Sequence, residues 1–172
     1  DLMPDKNILE PLVDRLLELA ARPEEESKKR LWALHNAHQP AGKIPVSLTF
    51  ENIPEQQWEL IFGEAHLHCA GKTARHIESY LQKRIWMADC VPDDHVVWPA
   101  VPVPAVYTPS HQQWGVDLEW RDTDDELGSI AIVAPFAEEI DLSRLNSPQS
   151  DVNQAATTER LAEATELVDG RL

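Results

Sequence analysis

The sequence predicts an α+β fold in which helices predominate and a short strand and a β-hairpin make up the rest. Apolar residues recur every three or four positions in several segments, which is the spacing of an amphipathic helix. Two apolar runs flank an acidic turn, which is typical of a β-hairpin. Together these patterns predict a single domain over residues 1–172, with helices throughout residues 1–40.

Two helices are predicted before residue 40. Residues 7–21 place Ile8, Leu12 and Leu16 at helical spacing, and this helix is expected to end before Pro23. Residues 24–36 form the second helix because they contain three acid–base pairs four residues apart. These pairs are Glu24 with Lys28, Glu25 with Lys29, and Glu26 with Arg30.

A strand is predicted over residues 44–50, where Val46, Leu48 and Phe50 alternate with polar residues. Residues 54–91 are predicted to be helical. A short helix there ends at Gly63, and a longer one over residues 73–89 has apolar residues at every third or fourth position.

Residues 92–135 are predicted to contain a proline-rich extended segment followed by the β-hairpin. The prolines at positions 92, 99, 102, 104 and 109 exclude a central strand over most of that stretch. The hairpin strands are expected within residues 115–121 and 129–134. Asp151 and Gln154 have the spacing of a capping box, which predicts a helix over residues 151–168 that Gly170 ends.

The composition excludes two classes of partner. With 15 Lys+Arg against 30 Asp+Glu, the formal net charge is −15. Binding to nucleic acid or to an anionic membrane surface depends on clustered cations, so both are poor partners for this chain. No apolar run approaches the ~20 residues of a spanning helix, and the N-terminus lacks the pattern of a signal peptide. The expected compartment is therefore the cytoplasm, with both cysteines free.

Several segments carry a resemblance to a known superfamily. They are residues 29–36, 42–46, 74–78, 84–86, 91–99, 114–120 and 142–148. In order and sequence they resemble the N-terminal part of uroporphyrinogen decarboxylase-like proteins, in particular the branch of corrinoid-dependent and zinc-dependent methyltransferases. The resemblance implies a TIM barrel, which needs about 250 residues. The chain would supply the N-terminal helices, the first strand and a hairpin insertion, so the barrel is not complete in it.

One departure from the family pattern narrows the expected reaction. Uroporphyrinogen decarboxylases have an arginine-rich stretch after the first strand, and those arginines meet the carboxylates of the substrate. Here residues 50–56 contain two acids and no arginine, so decarboxylation of that substrate is improbable. The methyltransferase branch implies a small-molecule methyl donor, a corrinoid protein as partner, and a zinc bound by residues of later strands. The isolated chain is then expected to be inactive and to contain no cofactor of its own.

Four residues are candidates for substrate binding. Glu51 and Asn52 directly follow the predicted first strand, and in a TIM barrel the carboxyl ends of strands face the active site. The alternative for both is ordinary loop polarity. Asp94 and His95 belong to an Asp-Asp-His run that is either an acid–base group or a simple turn after Pro92.

His66, His68 and Cys69 form the only local group of soft metal ligands in the sequence. The group is one ligand short of a zinc site, so a loop with Cys69 buried as a small hydrophobic residue is favoured over metal binding. The six tryptophans are interpreted as packing residues, with a cofactor box as the alternative. A non-catalytic interaction module that docks through residues 86–120 is the alternative function. Self-association is expected because the predicted first strand has an unpaired edge.

Overall fold

The structure is a computed structural model that describes residues 2–49, 55–108, 119–121, 131–134, 142–147 and 151–172. It confirms the α+β class, with helices and short antiparallel sheets. By its internal contacts the chain divides into two compact units, a division that the single-domain prediction did not include. The first unit comprises Asp1–Val103 and Glu159–Leu172, and the second comprises Pro104–Thr158.

Among the described residues up to position 90 there are four α-helices, and their positions follow the predicted ones closely. They are α1 (Met3–Ala20), α2 (Pro23–Asn36), α3 (Glu55–Phe62) and α4 (Lys72–Cys90), with a 3₁₀-helix at Glu64–His66 between the last two. Pro23 occupies the first position of α2, where its missing N–H costs nothing. The acidic side chains of α2 pair at a spacing of three residues rather than the predicted four, as in Glu25–Lys28 and Glu26–Lys29.

The core of the first unit lies where α1 packs against α4. Leu9, Val13, Leu16 and Leu19 form the buried stripe of α1. Its counterpart on α4 consists of Ala74, Ile77 and Leu81, each at most 1% exposed. Each fully buried leucine or isoleucine contributes about 1.5–3 kcal/mol relative to an exposed one, so this stripe is the main source of stability. Cys69, Val97, Ala164, Leu167 and Val168 complete the cluster.

Residues 44–49 do not form the predicted strand. They are in neither a helix nor a strand: the N–H groups of Val46 and Leu48 donate to the Asp94 and Asp93 side chains, and one backbone bond joins the Asp94 N–H to the Val46 carbonyl. The prediction failed because the alternation of Val46 and Leu48 describes only which side chains share a face, whereas a strand also needs a ladder of backbone partners. Phe50, Glu51 and Asn52 lie outside the described residues.

The second unit contains short antiparallel pairs of strands. They are β1 (Tyr107–Thr108) with β4 (Asp151–Val152), and β2 (Glu119–Arg121) with β3 (Ala131–Val133). The β2–β3 pair confirms the predicted hairpin, with Trp120 opposite Ile132, although its acidic turn is outside the described residues. A 3₁₀-helix occupies Leu142–Arg144.

The last helix, α5, runs over Gln154–Leu167 and not from residue 151. The predicted capping box is wrong because Asp151 belongs to β4. The cap is Asn153, whose Oδ1 accepts a hydrogen bond of 3.0 Å from the Ala156 N–H. Gly170 has a φ of +63° and its N–H donates to the Thr165 carbonyl, which confirms it as the end of the helix. Within the described ranges, none of the helices has the length and apolar character that a membrane crossing requires.

Candidate functional site

A small cleft in the first unit, here called the Arg84 cleft, gathers several polar side chains. Its polar lining consists of Lys28, Tyr80, Arg84, Asp93 and His95, and Trp98 lies beside them. The cavity volume is about 40 Å³, which accommodates a few water molecules or one small polar group. This volume is far below the ~300 Å³ of a typical pocket for a drug-sized ligand.

The helix α4 supplies one wall of the cleft. Tyr80 and Arg84 are four residues apart and therefore share a face of that helix, one turn above each other. The guanidinium carbon of Arg84 lies 5.3 Å from the centre of the Tyr80 ring, so the cation rests against the aromatic face. This contact restricts the orientation of the guanidinium.

Arg84 also binds His95 from the opposite wall. Its Nη1 lies 2.6 Å from His95 Nε2. Because a guanidinium only donates hydrogen bonds, Nε2 must be the unprotonated acceptor, which places the ring proton on Nδ1. Nδ1 lies 3.3 Å from the hydroxyl of Ser47 and donates to it in this tautomer. Burial and then the positive charge of Arg84 lower the pKa of His95 below its ordinary value, so the imidazole is neutral at pH 7.

The other charged groups at the cleft have polar partners. Beside the cleft, Glu25 is 3% exposed, and its carboxylate lies 2.9 Å from Lys28 Nζ and accepts the Val97 N–H at 2.7 Å. Lys28 also donates to the His95 carbonyl at 3.1 Å. Asp93 accepts backbone N–H groups from His95 and Leu48. Arg84 and Asp93 both line the cleft, and neither forms an ion pair among the residues that the structure describes.

Asp93 and Asp94 act as a clamp on residues 43–48. Asp94 Oδ1 lies 2.6 Å from Lys43 Nζ, while Oδ2 accepts the Val46 N–H at 3.1 Å. The Asp94 N–H returns a bond of 2.7 Å to the Val46 carbonyl, and Leu48 N–H donates to Asp93 at 2.9 Å. The bond from Lys43, with the Val46 N–H, lowers the pKa of Asp94 below its ordinary value. The Asp-Asp-His run is thus a turn whose carboxylates hold a second segment.

Of the four predicted substrate-binding residues, the structure describes Asp94 and His95 and gives them different surroundings. His95 lines the Arg84 cleft, whereas the carboxylate of Asp94 is engaged in the clamp and is not part of that cleft. Glu51 and Asn52 lie outside the described residues, so their predicted role stays a prediction. No signal in the sequence singled out Lys28, Tyr80 or Arg84. The i,i+4 spacing of Tyr80 and Arg84 was visible, but pairing them with His95 required the fold.

The His66–Cys69 run adopts the loop that was favoured for it. Cys69 is 1% exposed, and burial together with the nearby Glu78 carboxylate raises the pKa of its thiol to about 12. The fully buried Glu78 accepts the backbone N–H groups of His68 and Cys69, each at 2.9 Å. Where the chain is described, no three His, Cys, Asp or Glu side chains converge in an arrangement that could hold a metal ion.

Comparison with family models, with curated proteins and with solved structures gives no match for this chain. The resemblance to uroporphyrinogen decarboxylase-like proteins therefore stays a prediction.

Proposed function

We propose that the chain is the N-terminal portion of a uroporphyrinogen decarboxylase-like enzyme of TIM-barrel type. Its reaction is methyl transfer between a small-molecule methyl donor and a corrinoid protein in the cytoplasm. Support comes first from the order of the elements, since α2, the extended residues 43–48, α3, α4 and the β2–β3 hairpin occur in the order that the resemblance implies.

One observation carries the proposal furthest. Ile44, Val46 and Leu48 are 77%, 55% and 46% exposed, on a segment that is neither helix nor strand. In a barrel strand these alternate positions would share one face, and the three apolar side chains would form an uncovered row. A first barrel strand that lacks its neighbours would present such a row. The clamp of Asp93 and Asp94 holds this segment to residues 93–95, and both segments are among those that carry the resemblance.

The described residues do not fit the zinc that the resemblance implies. They contain no convergent group of three ligands, and the raised pKa of Cys69 disfavours the thiolate that zinc requires. In the family pattern the zinc ligands come from later barrel strands. The role proposed for this chain is therefore to build a wall of the pocket, with Glu51 and Asn52 directly after the segment where the resemblance implies the first barrel strand.

The test is methyl transfer to a corrinoid protein, followed by the visible absorbance of its cobalt centre with a panel of small methylated amines, thiols and alcohols. We expect no transfer by the 172-residue chain alone, because metal-dependent sites lose activity outright without their ligands. We expect transfer by a longer protein in which the barrel is complete. There, Glu51→Ala should reduce turnover or donor affinity about 10-fold or more, and His68→Ala should have less effect.

Two outcomes would contradict the proposal. If His68→Ala is the more damaging substitution, the site has been placed wrongly. If the gene ends at Leu172 and no methyl transfer is found, the chain is instead an interaction module that docks through residues 86–120. A divergent decarboxylase is a further alternative, and release of carbon dioxide from a porphyrinogen would identify it.

A further inference from the structure

We propose that the Arg84 cleft binds the carboxylate group of a small organic acid, with Arg84 as the residue that holds it. The proposal is independent of the methyltransferase assignment, because it depends only on the residues of the cleft. It follows from three features: an arginine without an acidic partner, a rigid setting for its guanidinium, and a cavity of the right size.

The first feature is that Arg84 has no carboxylate partner. The ion pairs of the first unit show how other arginines are used: Arg15 and Arg22 bind Asp89, and Arg75 binds Glu64. At the cleft, Glu25 pairs with Lys28, while Asp93, which lines the cleft with Arg84, accepts two backbone N–H groups and forms no ion pair among the described residues. Arg84 has only the neutral ring of His95 and the face of Tyr80, with no carboxylate partner in the described part of the chain. A half-buried guanidinium in this state attracts an anion.

The second feature is that the guanidinium is already oriented. The guanidinium lies over the Tyr80 ring, and its 2.6 Å bond to His95 occupies one of its five N–H groups. His95 is itself held by its bond to Ser47. A planar fork of N–H donors whose position is fixed in advance matches the two oxygens of a carboxylate, and little entropy is lost on binding.

The third feature separates a carboxylate from a phosphate. The cavity volume is about 40 Å³, and only one cation in it lacks an anionic partner among the described residues. A single positive charge balances a carboxylate, whereas it leaves one charge of a phosphate dianion unbalanced. Trp98 is 58% exposed beside the cleft, so the remainder of the acid extends outward over an aromatic surface.

The binding experiment is an NMR titration of the 172-residue chain at constant ionic strength. Acetate and benzoate are the probes, acetamide and benzamide are their neutral counterparts, and inorganic phosphate is the competing anion. We expect the acids to shift the Arg84 Nε–H and His95 ring signals and to bind about 10-fold or more tightly than the amides. A bound carboxylate offsets the charge of Arg84, so it should also raise the pKa of His95.

The variants make the assignment specific. Arg84→Gln should weaken acetate binding about 10-fold or more. The affinity of Arg84→Lys for acetate should lie between those of Arg84→Gln and the original protein, because lysine keeps the positive charge but lacks the planar pair of N–H donors. Arg30→Gln is the matched control on the exposed surface of α2 and should bind as the original protein does. If Arg84→Gln does not fold, the Arg84→Lys variant and the titration of the original protein decide the matter.

Four outcomes would overturn the proposal: no saturable shift with either acid, equal binding of acids and amides, unchanged binding in Arg84→Gln or Arg84→Lys, or phosphate binding more tightly than acetate. If Arg30→Gln weakened acetate binding as much as Arg84→Gln does, the proposal would also be overturned. Acetate would then respond to the net surface charge of the protein and not to a site at Arg84.

Discussion

Three buried carboxylates organise the loops of the first unit. Asp5 accepts the N–H groups of Ala70 and Gly71, Glu25 accepts that of Val97, and Glu78 accepts those of His68 and Cys69. A buried charge is tolerated only when its oxygens are hydrogen-bonded, and buried backbone N–H groups of a loop likewise need acceptors. Each carboxylate therefore supplies the hydrogen-bond acceptor that these loop N–H groups would otherwise find in a helix or a sheet.

Replacement of Glu78 should be strongly destabilising. Glu78→Ala leaves two N–H groups without an acceptor and opens a cavity in the core, so we expect a loss of about 3 kcal/mol or more in the free energy of unfolding. Glu78→Gln keeps one oxygen acceptor and should lose less. Urea unfolding measures both variants. Glu26→Gln is the control, because its exposed pair with Lys29 is worth at most about 1 kcal/mol. A loss in Glu78→Ala no larger than in the control would refute this role.

The two cysteines should differ widely in thiol reactivity. Cys90 is exposed at the end of α4, whereas Cys69 is buried and the pKa of its thiol is raised to about 12. The thiolate is the reactive form, so at pH 8 a thiol-specific reagent should modify Cys90 quickly and Cys69 about 100-fold more slowly or not at all. Cys90→Ser should abolish the fast phase, and denaturant should restore one equivalent. A fast phase of two equivalents in the native protein would place Cys69 at the surface.

At the scale of elements, the helices could be predicted from the sequence. The contacts of residues 44–49, where a strand was expected, could not. The apolar stripes of α1 and α4 repeat over four or more turns, so the positions of both helices could be inferred within a few residues. The β2–β3 hairpin was likewise visible as two runs around a turn. Residues 44–49 were misassigned because the partners of their backbone are the carboxylates of Asp93 and Asp94 and the backbone N–H of Asp94, some 45 positions away. Local alternation contains no information about such a partner.

The candidate site shows the same limit. His95 was identified as a candidate because it follows two aspartates in the sequence. In the structure its ring contacts Arg84 and Ser47, which the sequence did not indicate. Its partners Arg84 and Ser47 lie on α4 and on the clamped segment, and only the fold brings these three elements together. Sequence reasoning can find a chemically active residue, whereas its pairing across elements depends on packing.

The contacts of the His95 ring with Arg84 and Ser47 should make the free energy of unfolding depend on pH. The pKa of His95 is lowered in the folded protein, chiefly by burial and then by Arg84, while in the unfolded chain it is about 6.5. Between these two values the unfolded state binds more protons. The contribution of His95 is therefore complete above pH 6.5 and is lost as the pH falls through the folded pKa. Protonation would also set a second cation against Arg84.

Urea unfolding between pH 5 and pH 7.5 measures this dependence. His95→Gln should flatten the fall in the free energy of unfolding below pH 6.5, because glutamine does not titrate. His66→Gln, at an exposed position, is the control and should keep the original slope. An unchanged slope in His95→Gln would mean that another group is responsible.

At the scale of the whole molecule, an acidic surface coexists with an uncovered apolar row. The net charge of −15 opposes association between copies through electrostatic repulsion. Ile44, Val46 and Leu48 favour it, since they are large apolar side chains exposed at neighbouring positions of one segment. Repulsion is screened by salt and apolar contact is not, so the balance between them should shift with ionic strength.

We therefore expect the chain to self-associate through this row, increasingly so as protein and salt concentrations rise. Light scattering measures the mass, and an apolar dye reports the uncovered surface. Ile44→Lys places a charge on the most exposed member of the row, at 77%, and should shift the protein toward monomer. Leu142→Lys is the matched control, because Leu142 is 67% exposed but lies in the second unit. If Ile44 lies in the contact between copies, Leu142→Lys should associate as the original protein does. A protein that stays monomeric at every salt concentration and binds no dye would show that Ile44, Val46 and Leu48 do not mediate self-association.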